Sequence, residues 1–130
     1  MSRAIAILLL GITLFVLTLI GLWLYDYATN SPLRISPGEA RARLAAEDFD
    51  IVLDVRTFPE VAVLGKFPGA VHIPAGDLRR LFPVDYPDRE LRVLIYCNSG
   101  QRARKAAEVL RAMGYKKVVY VAVPYQSLME

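Results

Sequence analysis

A long stretch near the start of the chain carries no charge, and it limits the folds that the chain can adopt. Residues 4–25 read AIAILLLGITLFVLTLIGLWLY. A helix that crosses a bilayer needs about 20 predominantly apolar residues. Trp23, Tyr25 and Tyr27 cluster at the far end of the stretch, where aromatic side chains sit at a membrane interface. The stretch is therefore typical of a transmembrane helix.

This stretch divides the chain into an anchor and a separate domain. A cleaved signal peptide is the alternative, but its apolar core is about 7–15 residues and ends in an A-x-A-like site, which this sequence lacks. Arginines after the stretch outnumber those before it, which favours a single-pass membrane protein with a cytoplasmic domain. The predicted organisation is a transmembrane helix in residues 1–25, with residues 4–24 in the membrane, a linker in residues 26–33 and a domain in residues 34–130.

The remaining composition is that of one ordinary domain. The chain has 130 residues, of which 16 are basic and 13 acidic, and its formal net charge is +3. Such a small excess of positive charge does not indicate a nucleic-acid partner. Its single cysteine cannot form an internal disulfide, so cysteine content does not indicate the compartment.

Short apolar runs alternate with helical patterns through the predicted domain. Runs at residues 51–55, 92–96 and 117–121 read as strands that are apolar throughout. Ser36 with Glu39, and Thr57 with Glu60, have the spacing of capping boxes that begin helices. Strands that are apolar on both faces, separated by helices, predict an α/β fold with an open, mostly parallel sheet and helices on both faces.

The only cysteine, Cys97, lies where the second of these runs, residues 92–96, ends and a helix begins. Unpaired backbone N–H groups at a helix N-terminus carry partial positive charge and stabilise a thiolate or a bound anion. Arg102 adds a permanent cation in the first helical turn. In parallel sheets ligands bind beyond the carboxyl ends of the strands, so we expect Cys97 to lie near the segment that follows Asp54.

Three segments, in order and at matching spacing, make residues 35–122 resemble the rhodanese family. The first is Asp54-Val55-Arg56 with Glu60, the second is GKFPGAVHIP at residues 65–74, and the third is CNSGQR at residues 97–102. Each motif alone is short enough to occur by chance, but the three together on a βα pattern are specific. The resemblance implies a rhodanese-like fold.

The resemblance also implies a thiosulfate-type sulfurtransferase. Its cysteine attacks a sulfane sulfur donor, thiosulfate or a protein persulfide, becomes a persulfide, and passes the outer sulfur to an external thiol. No cofactor is implied, and with one cysteine and one histidine in the sequence no metal site is expected. The site residues implied are Cys97 and Arg102 as catalytic residues, Asn98, Ser99, Gly100, Gln101 and Arg56 as substrate-binding residues, and Asp54 as a structural neighbour.

Two departures from the family pattern leave other functions open. Asn98 stands where the family often has arginine, and Val123-Pro124-Tyr125 replaces a glycine pair and an aromatic residue. These changes suit a weakly active or inactive binding or scaffold module. A phosphatase or arsenate reductase is the other alternative. Family relatives of that kind have five residues between the cysteine and the arginine, whereas four separate Cys97 from Arg102 here.

Overall fold

The computed structural model describes residues 1–130, apart from the side chain of Thr29. The chain divides into two compact units, Met1–Pro32 and Leu33–Glu130. The first unit consists mainly of helix α1 (Arg3–Thr29). Its Arg3–Ala28 part is long and apolar enough to cross a membrane, with a mean hydropathy of 2.8, although a signal sequence meets the same criterion.

Helix α1 is longer than the apolar run that predicts it. It begins after Ser2, whose hydroxyl accepts the Ile5 N–H, and it continues through residues 26–29. At its end the backbone N–H of Asn30 donates to the Asp26 carbonyl, and the Asn30 side chain donates to the Asp26 carboxylate at 2.9 Å. These contacts extend the helix by a turn, so the first half of the predicted linker is helical.

The second unit alternates strands and helices, and it confirms the predicted fold class. Its described helices and strands, in chain order, are α2 (Pro37–Ala45), β1 (Ile51–Asp54), α3 (Phe58–Leu64), β2 (Val71–His72), α4 (Leu78–Asp85), β3 (Arg92–Tyr96), α5 (Gln101–Ala112) and β4 (Lys117–Tyr120). Single turns of 3-10 helix lie at Ala75–Asp77 and Tyr125–Leu128.

The sheet is parallel, with strand order β2-β1-β3-β4 among the described residues. The chain moves outward from β1 to β2, then crosses back to β3 and continues outward to β4 on the other side. The direction of winding therefore reverses between β1 and β3. Ligands of open α/β sheets bind at this switch point, beyond the carboxyl ends of the strands. Asp54 and Tyr96, the last residues of β1 and β3, are direct neighbours there.

Side chains of β3 alternate between two hydrophobic cores, one on each face of the sheet. Val93 and Ile95 pack with residues of α4 and α5, and Cys97 continues this side. Leu94 and Tyr96 pack on the other side with residues of α2 and of the C-terminal segment. Both faces are thus covered, which explains why the strand is buried and carries no charge from Val93 to Tyr96.

Helix α5 is placed by one apolar face and a glycine stop. Ala103, Ala106, Ala107 and Leu110 are all buried, as their spacing predicts. The helix ends in a Schellman motif, in which the Tyr115 N–H donates to the Leu110 carbonyl and the Gly114 N–H to the Arg111 carbonyl. Gly114 has φ +96°, a conformation that favours glycine. The buried face and the glycine stop together fix α5 against the sheet, and the first turn of α5 lies next to Cys97.

Leu110→Ala tests the packing of α5 on the sheet. Because Leu110 is fully buried, the truncation should lower the free energy of unfolding by about 2–5 kcal/mol. Urea denaturation of the full chain in detergent, followed by near-ultraviolet circular dichroism, measures the change. Lys105→Ala, on the exposed side of the same helix, is the matched control and should change it by less than about 0.5 kcal/mol.

Candidate active site

Cys97 lies directly after β3, with its sulfur turned toward the start of α5. The residue is 1% exposed, and its Sγ accepts the backbone N–H of Gly100 at 3.1 Å. The sequence predicts amides from residues 98–102 around an anion at this sulfur. Among the described residues, Gly100 supplies the loop N–H that donates to Sγ, while Ser99 and Gln101 are exposed. The Gly100 N–H is thus the loop amide seen at the sulfur, and the contribution of the other amides to anion binding stays a prediction.

Gly100 is the residue that brings the loop close to its neighbours. It caps α5 with φ +101°, in the left-handed region. A Cβ added there would lie 2.5 Å from the Cβ and 2.8 Å from the Cα of Ala122, which follows β4. Both the backbone conformation and the space therefore require glycine, and that conformation aims the N–H of Gly100 at the sulfur.

Arg102, the predicted catalytic arginine in the first turn of α5, pairs with Glu60 in the structure. Its two terminal nitrogens donate to the two carboxylate oxygens at 2.6 and 2.9 Å. An arginine in the first helical turn opposes the helix dipole and needs a nearby anion. That anion is the carboxylate of Glu60, which the sequence analysis treats as a helix cap and not as a site residue.

Glu60 connects α3 to the cysteine loop. It forms the predicted capping box with Thr57, accepting its N–H at 3.1 Å and its hydroxyl at 2.9 Å. Its other oxygen accepts the side-chain amide of Asn98 at 2.8 Å. The hydrogen bonds from Arg102, with those from Thr57, hold the pKa of Glu60 well below its usual value of 4.5, against a smaller opposing effect of burial. Glu60 is therefore ionised at neutral pH.

Arg56, which is predicted to bind substrate, is buried in the structure. It is 1% exposed, and its guanidinium donates to the Asp54 carboxylate, with a shortest distance of 2.6 Å, and to the Gly65 carbonyl. The aromatic rings of Tyr96 and Tyr125 lie 5.6 and 5.5 Å from its central carbon. Its role in this structure is to neutralise a buried carboxylate.

Asp54 is the centre of this buried network, paired across the sheet with Tyr96, the residue before Cys97. It is fully buried and also accepts the hydroxyl of Tyr96 at 2.7 Å. Burial raises its pKa, but hydrogen bonds from Arg56 and Tyr96 outweigh burial and leave the pKa lowered. Burial and the bond to Asp54 raise the pKa of Tyr96 above its usual value of 10.0.

Tyr96 and Tyr125 are site neighbours that sequence reasoning misses. The Tyr96 hydroxyl accepts the Phe67 N–H at 2.9 Å, and the Tyr125 hydroxyl donates to the Leu64 carbonyl at 2.9 Å. Both rings enclose Arg56. One sequence signal was available for Tyr125. It lies in the segment 123–125, where the family usually has another aromatic residue, so an aromatic side chain beside Arg56 could have been predicted there.

Known proteins resemble this chain in sequence and in fold. The family profile described as a rhodanese-like domain matches residues 36–123. A mouse thiosulfate sulfurtransferase/rhodanese-like domain-containing protein 3 is 26% identical over 72% of this chain, and Escherichia coli thiosulfate sulfurtransferase PspE is 35% identical over 51%. The chain spans 66% and 62% of their lengths, just under two thirds. The human single-domain sulfurtransferase TSTD1 is similar in structure, with a TM-score of 0.63 and 27% identity, covering 76% of this chain and 96% of that one.

Gly100→Ala should displace the cysteine loop. The overlap with Ala122 and the strained φ should lower the free energy of unfolding by more than about 1 kcal/mol, as measured by urea denaturation. Gly76→Ala is the matched control, since no atom lies within 4 Å of the added methyl group. Equal effects of the two substitutions would contradict the close approach of loop and Ala122.

The Glu60 contacts should make part of the stability depend on pH. Because the pKa of Glu60 is lowered on folding, its contribution is fully present above the usual value of 4.5 and is lost as the pH falls below it. The difference in free energy of unfolding between the unsubstituted chain and Glu60→Gln should therefore be constant from pH 7 to pH 5 and shrink at lower pH. A difference that grows on acidification would contradict the assigned contacts.

Proposed function

Because the chain belongs to the rhodanese-like domain family, we propose that it is a membrane-anchored, single-domain sulfurtransferase. It takes sulfane sulfur from a donor, carries it as a persulfide on Cys97, and passes it to an external thiol or another nucleophile. The relatives named above as sulfurtransferases support this class of activity. The proposal also includes the sulfane sulfur donor, the external thiol acceptor and the membrane anchor.

The observation that carries the proposal is the hydrogen bond from the Gly100 N–H to Cys97 Sγ. It lies at the switch point of the sheet and at the N-terminus of the twelve-residue helix α5. A backbone N–H and a helix N-terminus both favour negative charge on sulfur. A thiolate is the nucleophile that this chemistry needs, and the same N–H groups favour the persulfide anion that follows.

In the proposed reaction the Cys97 thiolate attacks the outer sulfur of the donor. A new S–S bond forms at Cys97, the S–S bond of the donor breaks, and its electron pair leaves with the departing group. An external thiolate then attacks the outer sulfur of the Cys97 persulfide and regenerates the Cys97 thiolate. An external acceptor is needed because Cys97 is the only cysteine in the sequence.

The other predicted site residues form or surround the loop that follows Cys97. In this proposal the loop from Asn98 to Gln101 binds the donor, and the Gly100 N–H donates to the sulfur. Arg102 holds the loop in place through Glu60. Asp54 and Arg56 form a buried pair next to Tyr96, which precedes the loop.

Helix α1 is the proposed single membrane span. It is uncharged from residue 4 to residue 25 and apolar enough to cross a bilayer. The domain begins close to residue 34, so the anchor would keep the sulfur carrier near the membrane. The arginine distribution favours a domain on the cytoplasmic side.

Mass spectrometry of the full chain in detergent tests the chemistry. Incubation with an excess of thiosulfate or of a small organic persulfide should add one sulfur atom, confined to the peptide that contains Cys97. Cys97→Ser should remove this adduct and abolish sulfur transfer while the circular dichroism spectrum stays the same. A folded chain that gains no sulfur from either donor would instead be a binding module, and transfer retained in Cys97→Ser would refute the role of Cys97.

A further inference from the structure

We propose that this site takes sulfur from organic persulfides, R–S–S⁻, in preference to thiosulfate; the inference rests on the proposed sulfur transfer at Cys97. The reason is the charge around the cysteine loop. The arginines that would receive a doubly negative donor are each paired with a carboxylate, and the loop itself has an amide where a further cation would stand.

Arg102 is the first of these paired cations. Glu60 binds both of its terminal nitrogens, at 2.6 and 2.9 Å. To bind Arg102, a donor sulfonate would have to displace a carboxylate that Thr57 and Asn98 also hold. Planar, two-point binding of this kind is the strong form of an arginine–carboxylate contact. The pair therefore offers no uncompensated charge to a donor.

Asn98 and Arg56 add no free positive charge either. Asn98 is neutral, and its amide donates to Glu60 at 2.8 Å. Arg56 is buried and paired with Asp54. The charges of Asp54, Arg56, Glu60 and Arg102 therefore cancel. What remains for a ligand is the partial positive charge of the Gly100 N–H and the α5 N-terminus, about half a unit charge.

The two donors differ in the charge that this site must accept. In thiosulfate the Cys97 thiolate attacks the outer sulfur, the S–S bond breaks, and sulfite leaves with both electrons of that bond and two negative charges. In an organic persulfide the same attack forms the same Cys97 persulfide, and a thiolate with one negative charge leaves and takes a proton from water. Neither step needs an external oxidant or reductant. A site whose cations are paired is better matched to the second step.

Helix α3, which contacts the cysteine loop through Glu60, also exposes apolar side chains to solvent. Helix α3, which holds Glu60, has no buried residue, and it exposes Phe58, Val63 and Leu64 by 67%, 81% and 51%. These side chains provide apolar surface for the R group of a persulfide. Thiosulfate has no group that could use this surface.

The test compares two donors on the full chain in detergent. Rates of Cys97 persulfide formation are measured by rapid quenching and mass spectrometry with thiosulfate and with 2-hydroxyethyl persulfide, which carries one negative charge. The second-order rate constant for the persulfide should exceed that for thiosulfate by at least about tenfold, which corresponds to about 1.4 kcal/mol.

A third donor, a persulfidated cysteine in a short apolar peptide, shows whether the source is a small thiol or a peptide segment. Val63→Glu should slow transfer from the peptide only.

Asn98→Arg tests the cause of the preference. A cation at this position should raise the rate with thiosulfate relative to the persulfide by about tenfold, and the gain should fall at high salt. Asn98→Gln, which keeps a neutral amide, is the matched control and should leave the donor ratio close to that of the unsubstituted chain. Should Asn98→Arg fail to fold, Glu60→Gln serves the same purpose, because it leaves the charge of Arg102 uncompensated.

The outcomes separate the two proposals. Faster transfer from thiosulfate than from the persulfide in the unsubstituted chain would overturn the inference, although sulfur transfer at Cys97 would stand. A donor ratio unchanged by either Asn98→Arg or Glu60→Gln would also overturn it. If neither donor loads Cys97, it is the proposed function that fails.

Discussion

The pairing of Glu60 with Arg102 is the contact on which the arrangement of the site depends. It joins the first turn of α3 to the first turn of α5, and through Asn98 it includes the cysteine loop. Without it, an arginine at the start of α5 would oppose the helix dipole and an isolated carboxylate would lie at the loop. With it, both charges are compensated, and the loop is held at two points around Gly100.

A second pair, Asp54 with Arg56, is buried at the carboxyl end of the sheet. Asp54 ends β1, Tyr96 ends β3, and the Tyr96 hydroxyl donates to the Asp54 carboxylate across the switch point. Arg56 completes the neutralisation, and truncating one member of such a buried pair would leave an uncompensated charge. The two pairs compensate the charges of these four side chains. This balance is the physical basis of the proposed preference for a donor with one negative charge.

Local patterns account for the parts of the fold that could be predicted. The β-branched run ending at Asp54 and the apolar run ending at Tyr96 are strands, and the Thr57 capping box begins α3 as its spacing indicates. The location of Cys97 between a strand and a helix follows from the same local signals. The partner of Arg102 could not be predicted in this way, because Glu60 lies 42 residues earlier in the chain.

The sequence by itself determined an apolar N-terminal helix, an α/β domain with a parallel sheet, and a single thiol at a strand-to-helix turn. Periodicity, capping and turn residues act over a few positions, so a linear reading detects them. Only the tertiary structure decided that Arg56 is buried, that Arg102 is bound to Glu60, and that one loop amide points at the sulfur. Those outcomes depend on which distant segments the sheet brings together, and on the need of each buried or half-buried charge for a partner.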